Sequence, residues 1–161
     1  MYKRPLVWRR SSSYDPKKRY ATKKPIRSFR DLEVYQKALD AAVVVAKDVY
    51  PLVATSVTPD KESLPEYPFR DNLLKLSLEI PRWIAEAHSL RFDFPAEGIT
   101  MLERARVGSN RMIVYLEQVR GIYAKDGNRT AIDETIKQYA DNRVKMFRLA
   151  AAWKKWMAEK K

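Results

Sequence analysis

The stretch FRDNLLKLSLEIPRWIAEAHSL, residues 69–90, decides the fold class. Its apolar side chains recur at intervals of three and four residues, the spacing that places them on one face of an α-helix. This face consists of Phe69, Leu73, Leu76, Ile80, Ile84 and Ala87. A helix with an apolar stripe is stable only when the stripe is buried, so other segments of the chain must cover it.

The segment before it shows the same periodicity. Ser28 and Asp31 resemble a capping box, with the shorter Asp in place of Glu. The first helix is therefore predicted to run from about Phe29 to Val49, and Pro51 should end it. Its apolar stripe is Leu32, Tyr35, Leu39, Ala42, Val43, Ala46 and Tyr50.

Two further helices are predicted in the C-terminal half. Pro95 suits the first turn of the third helix, because proline has no N–H to leave unpaired there. Asp126 and Gly127 indicate a turn, and Thr130 with Asp133 should cap the fourth helix. The two apolar stripes are Leu102, Ala105, Ser109, Ile113, Leu116 and Tyr123, and Ile132, Ile136, Tyr139, Arg143, Met146, Ala150, Trp153 and Met157. Four long amphipathic helices with short connections predict an all-α protein, an up-down-up-down four-helix bundle.

The composition favours one domain and excludes several kinds of site. The chain has 161 residues, 45% of them hydrophobic, which suits a single bundle over residues 28–161. It has no Cys, one His and four Gly, so disulfides, thiolate zinc sites, two-His metal centres and glycine-rich nucleotide loops are excluded. The longest apolar run, Ala41 to Ala46, is too short to cross a membrane. We expect a cytoplasmic protein that is not an enzyme and has no metal or cofactor.

Positive charge is concentrated at the N-terminus. The chain carries 32 Lys and Arg against 20 Asp and Glu, a net charge of +12. Residues 1–27 contain ten of these basic residues, and Asp15 is their one acidic residue. Pro5, Pro16 and Pro25 interrupt this segment, and no apolar pattern repeats in it. We therefore predict a basic, mostly irregular arm without a core of its own. A solvated tail without a partner and a targeting segment are the alternatives.

Aromatic rings interleave with the cations of the arm. Rings stack on bases and cations contact phosphates, so the arm is predicted to bind RNA or DNA. The predicted contacts are Lys3, Arg4, Trp8, Arg9, Arg10, Lys17, Lys18, Arg19, Lys23, Lys24 and Arg27. A second candidate is the outer face of the fourth helix, with Lys137, Lys145, Arg148 and Lys155. Pairing with acidic residues one turn away is the alternative role for that face.

The second and third helices each carry a second apolar stripe. A bundle needs only one stripe per helix, and contiguous exposed apolar patches are unusual on monomers. We therefore expect a homo-oligomer whose interface contains Leu74, Leu78, Pro81, Ala85, Met112, Tyr115, Val119 and Ile122. A broad core stripe in a monomer is the alternative.

Two polar positions within the helices are interpreted as structural. Arg143 interrupts the apolar stripe of the fourth helix and should pair with Glu79, Glu86 or Glu117. His88 is expected at a helix end with an ordinary hydrogen bond. A single His cannot supply the two Glu-x-x-His motifs of a di-iron bundle, so a carboxylate enzyme is disfavoured.

Two motifs resemble a known family. The segment Ser28–Ala38, SFRDLEVYQKA, is similar to the opening of the bacterial four-helix-bundle proteins encoded in intervening sequences of large-subunit ribosomal RNA genes. The segment Ile80–Glu86, IPRWIAE, resembles the Ile-Pro-x-x-Ile-Ala-Glu of that family's second helix. Glu79, Trp83 and Ala87 depart from the pattern, standing where Ser, Asn and Gly are usual.

The same superfamily includes the accessory variability determinant of diversity-generating retroelements, a basic protein that partners reverse transcriptase and template RNA. The segment Trp153–Trp156, WKKW, and the strong positive charge resemble that branch, whereas Ser28–Ala38 resembles the ribosomal branch. The resemblance implies a homopentameric ring and, on the retroelement branch, a reverse transcriptase partner. It implies no catalytic residues.

Charge, stripes and resemblance together predict a non-enzymatic, oligomeric accessory or scaffold protein that binds nucleic acid, RNA in particular. The alternative is a homo-oligomeric protein–protein adaptor whose basic surfaces meet an acidic protein.

Overall fold

The computed structural model describes residues 25–54 and 64–160, and within these ranges the regular structure is entirely helical. In chain order the elements are a 3-10 turn (Phe29–Asp31), α1 (Glu33–Val44), a π turn (Val45–Val49), α2 (Tyr50–Ala54), α3 (Arg70–Leu90), α4 (Pro95–Ile122) and α5 (Asp126–Glu159). Helices α1, α3, α4 and α5 pack against one another as a four-helix bundle, which confirms the all-α fold class. None of the helices in these ranges is long and apolar enough to cross a membrane.

The predicted capping box is present but caps the short turn before α1. The Ser28 hydroxyl accepts from the Arg30 N–H at 3.2 Å, and an Asp31 carboxylate oxygen accepts from the Ser28 N–H at 2.9 Å. Leu32 is extended, so α1 begins only at Glu33.

Pro51 does not end the first helical segment as predicted. The chain widens into the π turn and continues through Pro51 to Ala54. A proline lacks the N–H for the ladder, and its ring crowds the carbonyl four residues earlier. A wider turn directly before the proline relieves that crowding, which explains why the helix survives it.

One of the two predicted C-terminal helix starts is correct. Pro95 occupies the first position of α4, as proposed. The fourth helix starts earlier than predicted, because α5 begins at Asp126 and the side chain of Asn128 accepts from the Lys125 N–H at 2.9 Å. Asp133 therefore does not cap the helix but accepts from Arg120 of α4 at 2.6 Å.

Side-chain contacts show how neighbouring helices are aligned. Lys154 near the end of α5 lies 3.6 Å from Glu103 near the start of α4, while Arg120 near the end of α4 reaches Asp133 near the start of α5. Residue numbers therefore rise along one helix as they fall along the other.

Residue numbers also run in opposite directions along α1 and α5. The Asn142 amide donates to the backbone carbonyl of Val34 at 2.9 Å, and the Gln138 amide donates to that of Lys37 at 2.9 Å. Helix α1 also packs on α3, and α3 packs on α4. The pair α1 and α3 and the pair α4 and α5 thus form opposite sides of the bundle.

The core contains most of the predicted stripes. Ile84 of α3 and Leu116 of α4 are fully buried, as expected. The stripe of α3 is confirmed except for Phe69, which lies just before the helix and is 42% exposed.

The buried face of α1 differs from the predicted stripe. Leu39 and Val43 are 42% and 44% exposed, although both were expected in the core. The face that is buried consists of Val34, Ala38, Ala41, Ala42, Val45 and Val49. Apolar residues surround most of this helix, and the small alanines are the ones that permit close helix packing.

Arg143 has a different partner from those predicted. Its guanidinium donates to the side-chain oxygen of Asn110 at 2.8 Å at the edge between α4 and α5. Glu79 and Glu86 instead flank Arg82 on their own helix, at 3.8 Å and 3.4 Å. A half-buried position at a helix edge lets the arginine be satisfied by a neutral amide, so no buried carboxylate is required.

Candidate nucleic-acid interface

Most of the predicted arm lies outside the described residues. The predicted contacts from Lys3 to Lys24 fall in residues 1–24. Arg27 is described and exposed, and its N–H donates to an Asp31 carboxylate oxygen at 3.0 Å. This hydrogen bond attaches the last residues of the arm to the turn that precedes α1.

The four predicted cations of the fourth helix lie on α5 but not in one group. Lys137, Arg148 and Lys155 are exposed, whereas Lys145 is half-buried and pairs with Glu33 at the start of α1. Lys155 lies 3.9 Å from Glu159. Two of the four therefore have carboxylate partners, which lowers the positive potential they offer to a phosphate.

The structure adds Lys37 to this face. Lys37, Lys137 and Lys145 line one groove between α1 and α5, together with the carboxylates of Glu134 and Asp141. Sequence reasoning missed Lys37 because only the packing of α1 on α5 brings it beside the other two lysines. The groove contains both signs of charge, so it is a mixed rather than a purely cationic surface.

A second groove lies nearer the arm. Lys145 and Arg148 line it with Glu33 and the apolar edge of α1. It adjoins the turn that follows Arg27, so α5 cations lie beside the point where the arm joins the bundle. Lys145, which pairs with Glu33, and Arg148 are therefore the α5 cations beside the first residues of α1.

Arg91, at the C-terminal end of α3, lies at this same end of the bundle. Its guanidinium lies 3.0 Å from Nδ1 of His88 and also donates to the backbone carbonyl of His88. Burial and the charge of Arg91 lower the pKa of His88, while the charge of Asp31 acts in the opposite direction. His88 is therefore neutral at pH 7. His88 lies in the last turn of α3 and makes a hydrogen bond through Nδ1, as predicted. Its Nε2, by contrast, is buried and has no hydrogen-bond partner among the residues that the structure describes.

We call the group Arg27, Arg30, Arg91, Lys145 and Arg148 the basic end. Asp31 and Glu33 also lie there and hold the first turn of α1 in place. Burial lowers the pKa of Arg91, but a guanidinium remains charged at neutral pH. The basic end therefore has five cations against the carboxylates of Asp31 and Glu33, and it includes Arg27, the last residue of the predicted arm.

Aromatic side chains form a cleft at this end, which the sequence reasoning did not identify. Its walls are Arg91, Phe92, Trp153 and Trp156, and we call it the aromatic cleft. The rings of Phe92 and Trp156 meet edge to face, with centroids 5.7 Å apart. The Arg91 guanidinium lies 4.0 Å from the Phe92 centroid, and the Lys160 ammonium lies 4.1 Å from the Trp156 centroid.

Three residues of the predicted subunit interface are buried inside the single chain. Pro81, Met112 and Val119 belong to the core between the helices and are not available to another subunit. They were assigned wrongly because close helix packing buries a wider sector of α3 and α4 than one narrow stripe. The other predicted residues are half-buried or exposed, namely Leu74, Leu78, Ala85, Tyr115 and Ile122.

Exposed apolar side chains lie on two opposite sides of the bundle. On the α1 and α3 side, Leu78 of α3 is 52% exposed, and Leu39 and Val43 of α1 are also exposed. On the α4 and α5 side, Phe147 is 59% exposed, and the other large apolar residues of these helices that are exposed are Val107, Val114, Ile122 and Val144. The sequence analysis did not predict exposed apolar residues on α5, because it identified a second apolar stripe only on the second and third helices.

The described residues contain no group of three or more His, Asp or Glu side chains that could hold a metal ion. Comparisons with family models, curated proteins and solved structures find no match to this chain. The family resemblance therefore depends on the two sequence motifs alone.

Proposed function

We propose that this protein is a non-enzymatic, oligomeric accessory or scaffold protein that binds nucleic acid, with RNA as the preferred ligand. The observation that carries the proposal is the position of the basic end. Arg27, the last residue of the strongly basic segment 1–27, is hydrogen-bonded to Asp31 in the turn before α1, and Lys145 and Arg148 line a groove beside the first residues of α1. Clustered Lys and Arg bind phosphates by releasing condensed counterions.

The bundle is proposed to have up-down-up-down topology, with the basic arm extending from the start of its first helix. The opposite residue order in the contacts of α4 with α5 and of α1 with α5 supports this topology. In this topology, one end of the bundle contains the starts of α1 and α4 and the ends of α3 and α5.

The proposed oligomer is a closed ring, with the homopentamer of the resembled superfamily as the specific form. Leu78 and Phe147 lie on opposite sides of the bundle and belong to two different apolar faces. Two different faces favour head-to-tail association, which closes into a ring when the rotation between subunits permits it. Such a ring would present several copies of the basic end to one nucleic acid.

The motifs at Ser28–Ala38 and Ile80–Glu86 support membership of the superfamily that contains the ribosomal intervening-sequence proteins and the retroelement accessory protein. On the retroelement branch the partners would be a reverse transcriptase and its template RNA in the cytoplasm. The genes beside this one distinguish the branches, because one predicts a reverse transcriptase with template repeats and the other an enclosing ribosomal RNA gene.

Deleting residues 2–27 tests the role of the arm. We expect nucleic-acid affinity to fall strongly and about equally across sequences, because phosphate contacts carry no sequence information. For duplex DNA, the slope of log affinity against log salt should become shallower by about 0.9 for each phosphate that the shortened protein no longer neutralises. Filter binding at several salt concentrations measures both quantities.

The matched control neutralises Lys145, Arg148 and Lys155 together. Its effect should be smaller, since Lys145 and Lys155 already have carboxylate partners. An unchanged salt slope after deletion of the arm, or loss of assembly before any loss of binding, would contradict the proposed role of residues 2–27.

A protein–protein adaptor is the second candidate, favoured by the exposed apolar residues Leu78 and Phe147. The purified protein distinguishes the two functions. A nucleic-acid-binding protein should retain RNA, with a high ratio of absorbance at 260 nm to that at 280 nm that falls after a salt wash. A low ratio at low salt, with no affinity for added RNA, favours the adaptor.

A further inference from the structure

The aromatic cleft has the dimensions and exposure of a binding site. Its volume is about 240 Å³, far above the roughly 10–15 Å³ that a cavity needs to hold one water molecule. Phe92 is 62% exposed, so one wall is open to solvent. A ligand with an apolar face that covered this ring would gain the free energy of removing its surface from water.

We propose that the aromatic cleft binds an unpaired base of single-stranded nucleic acid by stacking, while the cations at its rim contact the adjoining phosphates. This inference rests on the proposed nucleic-acid function and names the form of nucleic acid that the basic end takes.

The charges at the cleft favour a planar ring attached to an anion. Arg91 covers Phe92 and Lys160 covers Trp156, so each of these two rings has a cation within 4.1 Å of its centroid. A free cationic ligand would be repelled by both groups. A nucleotide satisfies both features, because its base stacks on the rings and its phosphate pairs with the guanidinium or the ammonium.

The ring walls favour an unpaired base over a duplex. In a duplex the faces of the bases are covered by their neighbours, and only edges are accessible in the grooves. Aromatic walls recognise faces, so the base must be unstacked, as in single strands, loops and bulges. Stacking is tolerant of sequence, because every base has a π-face.

The position of the cleft couples stacking to the phosphate contacts of the arm. Arg91, one wall of the cleft, also contacts His88, on which the charge of Asp31 acts. Asp31 in turn accepts from the N–H of Arg27, the last residue of the arm. The point where the basic segment joins the bundle therefore lies at the same end as the cleft, and phosphate contacts and stacking contribute different parts of the binding free energy.

Two oligonucleotides of equal length and charge test this proposal, one a single-stranded oligoadenylate and the other an abasic chain with the same phosphates. The full-length protein should bind the base-bearing chain more tightly by about 5- to 150-fold for each stacked base. Binding should also quench tryptophan fluorescence, because Trp153 and Trp156 line the cleft.

Phe92→Leu and Trp156→Leu should each reduce the preference for the base-bearing chain and leave the salt slope unchanged. Phe69→Leu is the matched control, because Phe69 lies at the other end of α3, about 30 Å away for 21 residues of helix. It is also an exposed ring stacked on a second ring, that of Tyr115. Circular dichroism establishes that each variant is folded. The comparison of the two oligonucleotides with the unmodified protein tests the proposal even if a variant fails to fold.

Equal affinity of the unmodified protein for the two oligonucleotides would overturn the stacking site and leave the nucleic-acid function standing. A preference that survives both cleft variants, or that disappears equally in Phe69→Leu, would also overturn it. No affinity for either oligonucleotide would refute the proposed function, and the stacking site with it.

Discussion

Gly98→Ala is expected to lower the free energy of unfolding, although alanine is the better helix former. Gly98 is buried in the first turn of α4. A Cβ at this position would lie 2.9 Å from the carbonyl oxygen of Ala87 and 3.3 Å from the nitrogen and Cα of Arg91. These are backbone atoms that no side-chain rotation can move, so the end of α3 and the start of α4 would have to separate.

The expected magnitude is the difference between two opposing effects. Replacing Gly by Ala inside a helix stabilises it by about 0.5–1 kcal/mol, because the unfolded chain loses conformational freedom. Overpacking a close contact costs about 1–3 kcal/mol. We expect a net loss of about 0.5–2 kcal/mol, which lowers the Tm of a chain of this size by roughly 1–8 °C.

The matched control is Gly121→Ala in the same helix. Among the described residues, no atom outside the adjacent residues and backbone of the helix lies within 4 Å of the place that a Cβ at Gly121 would take. The substitution should therefore be neutral or stabilising by up to about 1 kcal/mol. Urea unfolding followed by circular dichroism, at one protein concentration, measures both variants. Changes of the same sign and size in the two variants would refute the reasoning, because the close approach at Gly98 would then have no effect on packing.

Gly98→Ala also tests the connection between packing and the proposed site. Because the new Cβ would displace the backbone of Arg91, the geometry of the aromatic cleft should change with it. The preference for base-bearing over abasic oligonucleotide should therefore decrease in this variant and persist in Gly121→Ala.

Ile84→Ala and Leu116→Ala each truncate a fully buried side chain and should lower the free energy of unfolding by about 2–5 kcal/mol. If both variants were as stable as the parent in urea unfolding, the assigned core would be wrong. Burial, with a nearby guanidinium, holds the pKa of His88 below 6.5, so the unfolded state binds more protons and the free energy of unfolding should decrease as pH falls below that value. His88→Gln should flatten this dependence, and an unchanged slope in urea unfolding between about pH 5 and 7 would disprove the assignment. Leu78→Glu and Phe147→Glu place a charge on opposite apolar sides and should each reduce the mass measured by light scattering without loss of helicity, whereas an unmodified protein that is already monomeric at micromolar concentration would rule out the ring.

Local sequence patterns predicted much of the fold. The stripe from Leu73 to Ala87 was assigned correctly because its apolar residues recur at helical spacing along the whole of α3. Pro95 marked the start of α4 because proline at the first helical position acts within its own turn. By contrast, the patterns predicted that the fourth helix starts at Thr130, whereas α5 starts at Asp126. The reason is that the side chain of Asn128 caps the helix earlier, by accepting from the Lys125 N–H.

The candidate site was only partly predictable. The sequence alone showed that residues 1–27 are strongly basic, since charge is a property of composition. It could not show that Lys37 faces the lysines of α5, or that Phe92 meets Trp156, because these residues are far apart in the chain and only helix packing joins them.

The sequence by itself determined the fold class, the positive charge and the absence of thiol chemistry, because helical periodicity and composition act within a few residues of each position. The tertiary structure alone decided which apolar residues are buried and which cations gather at one end. Leu39 is exposed and Met112 is buried, although both lie on apolar faces. The reason is physical: burial depends on the distance and rotation between helices, which are set by small residues such as Ala38 and Gly98 at the closest contacts.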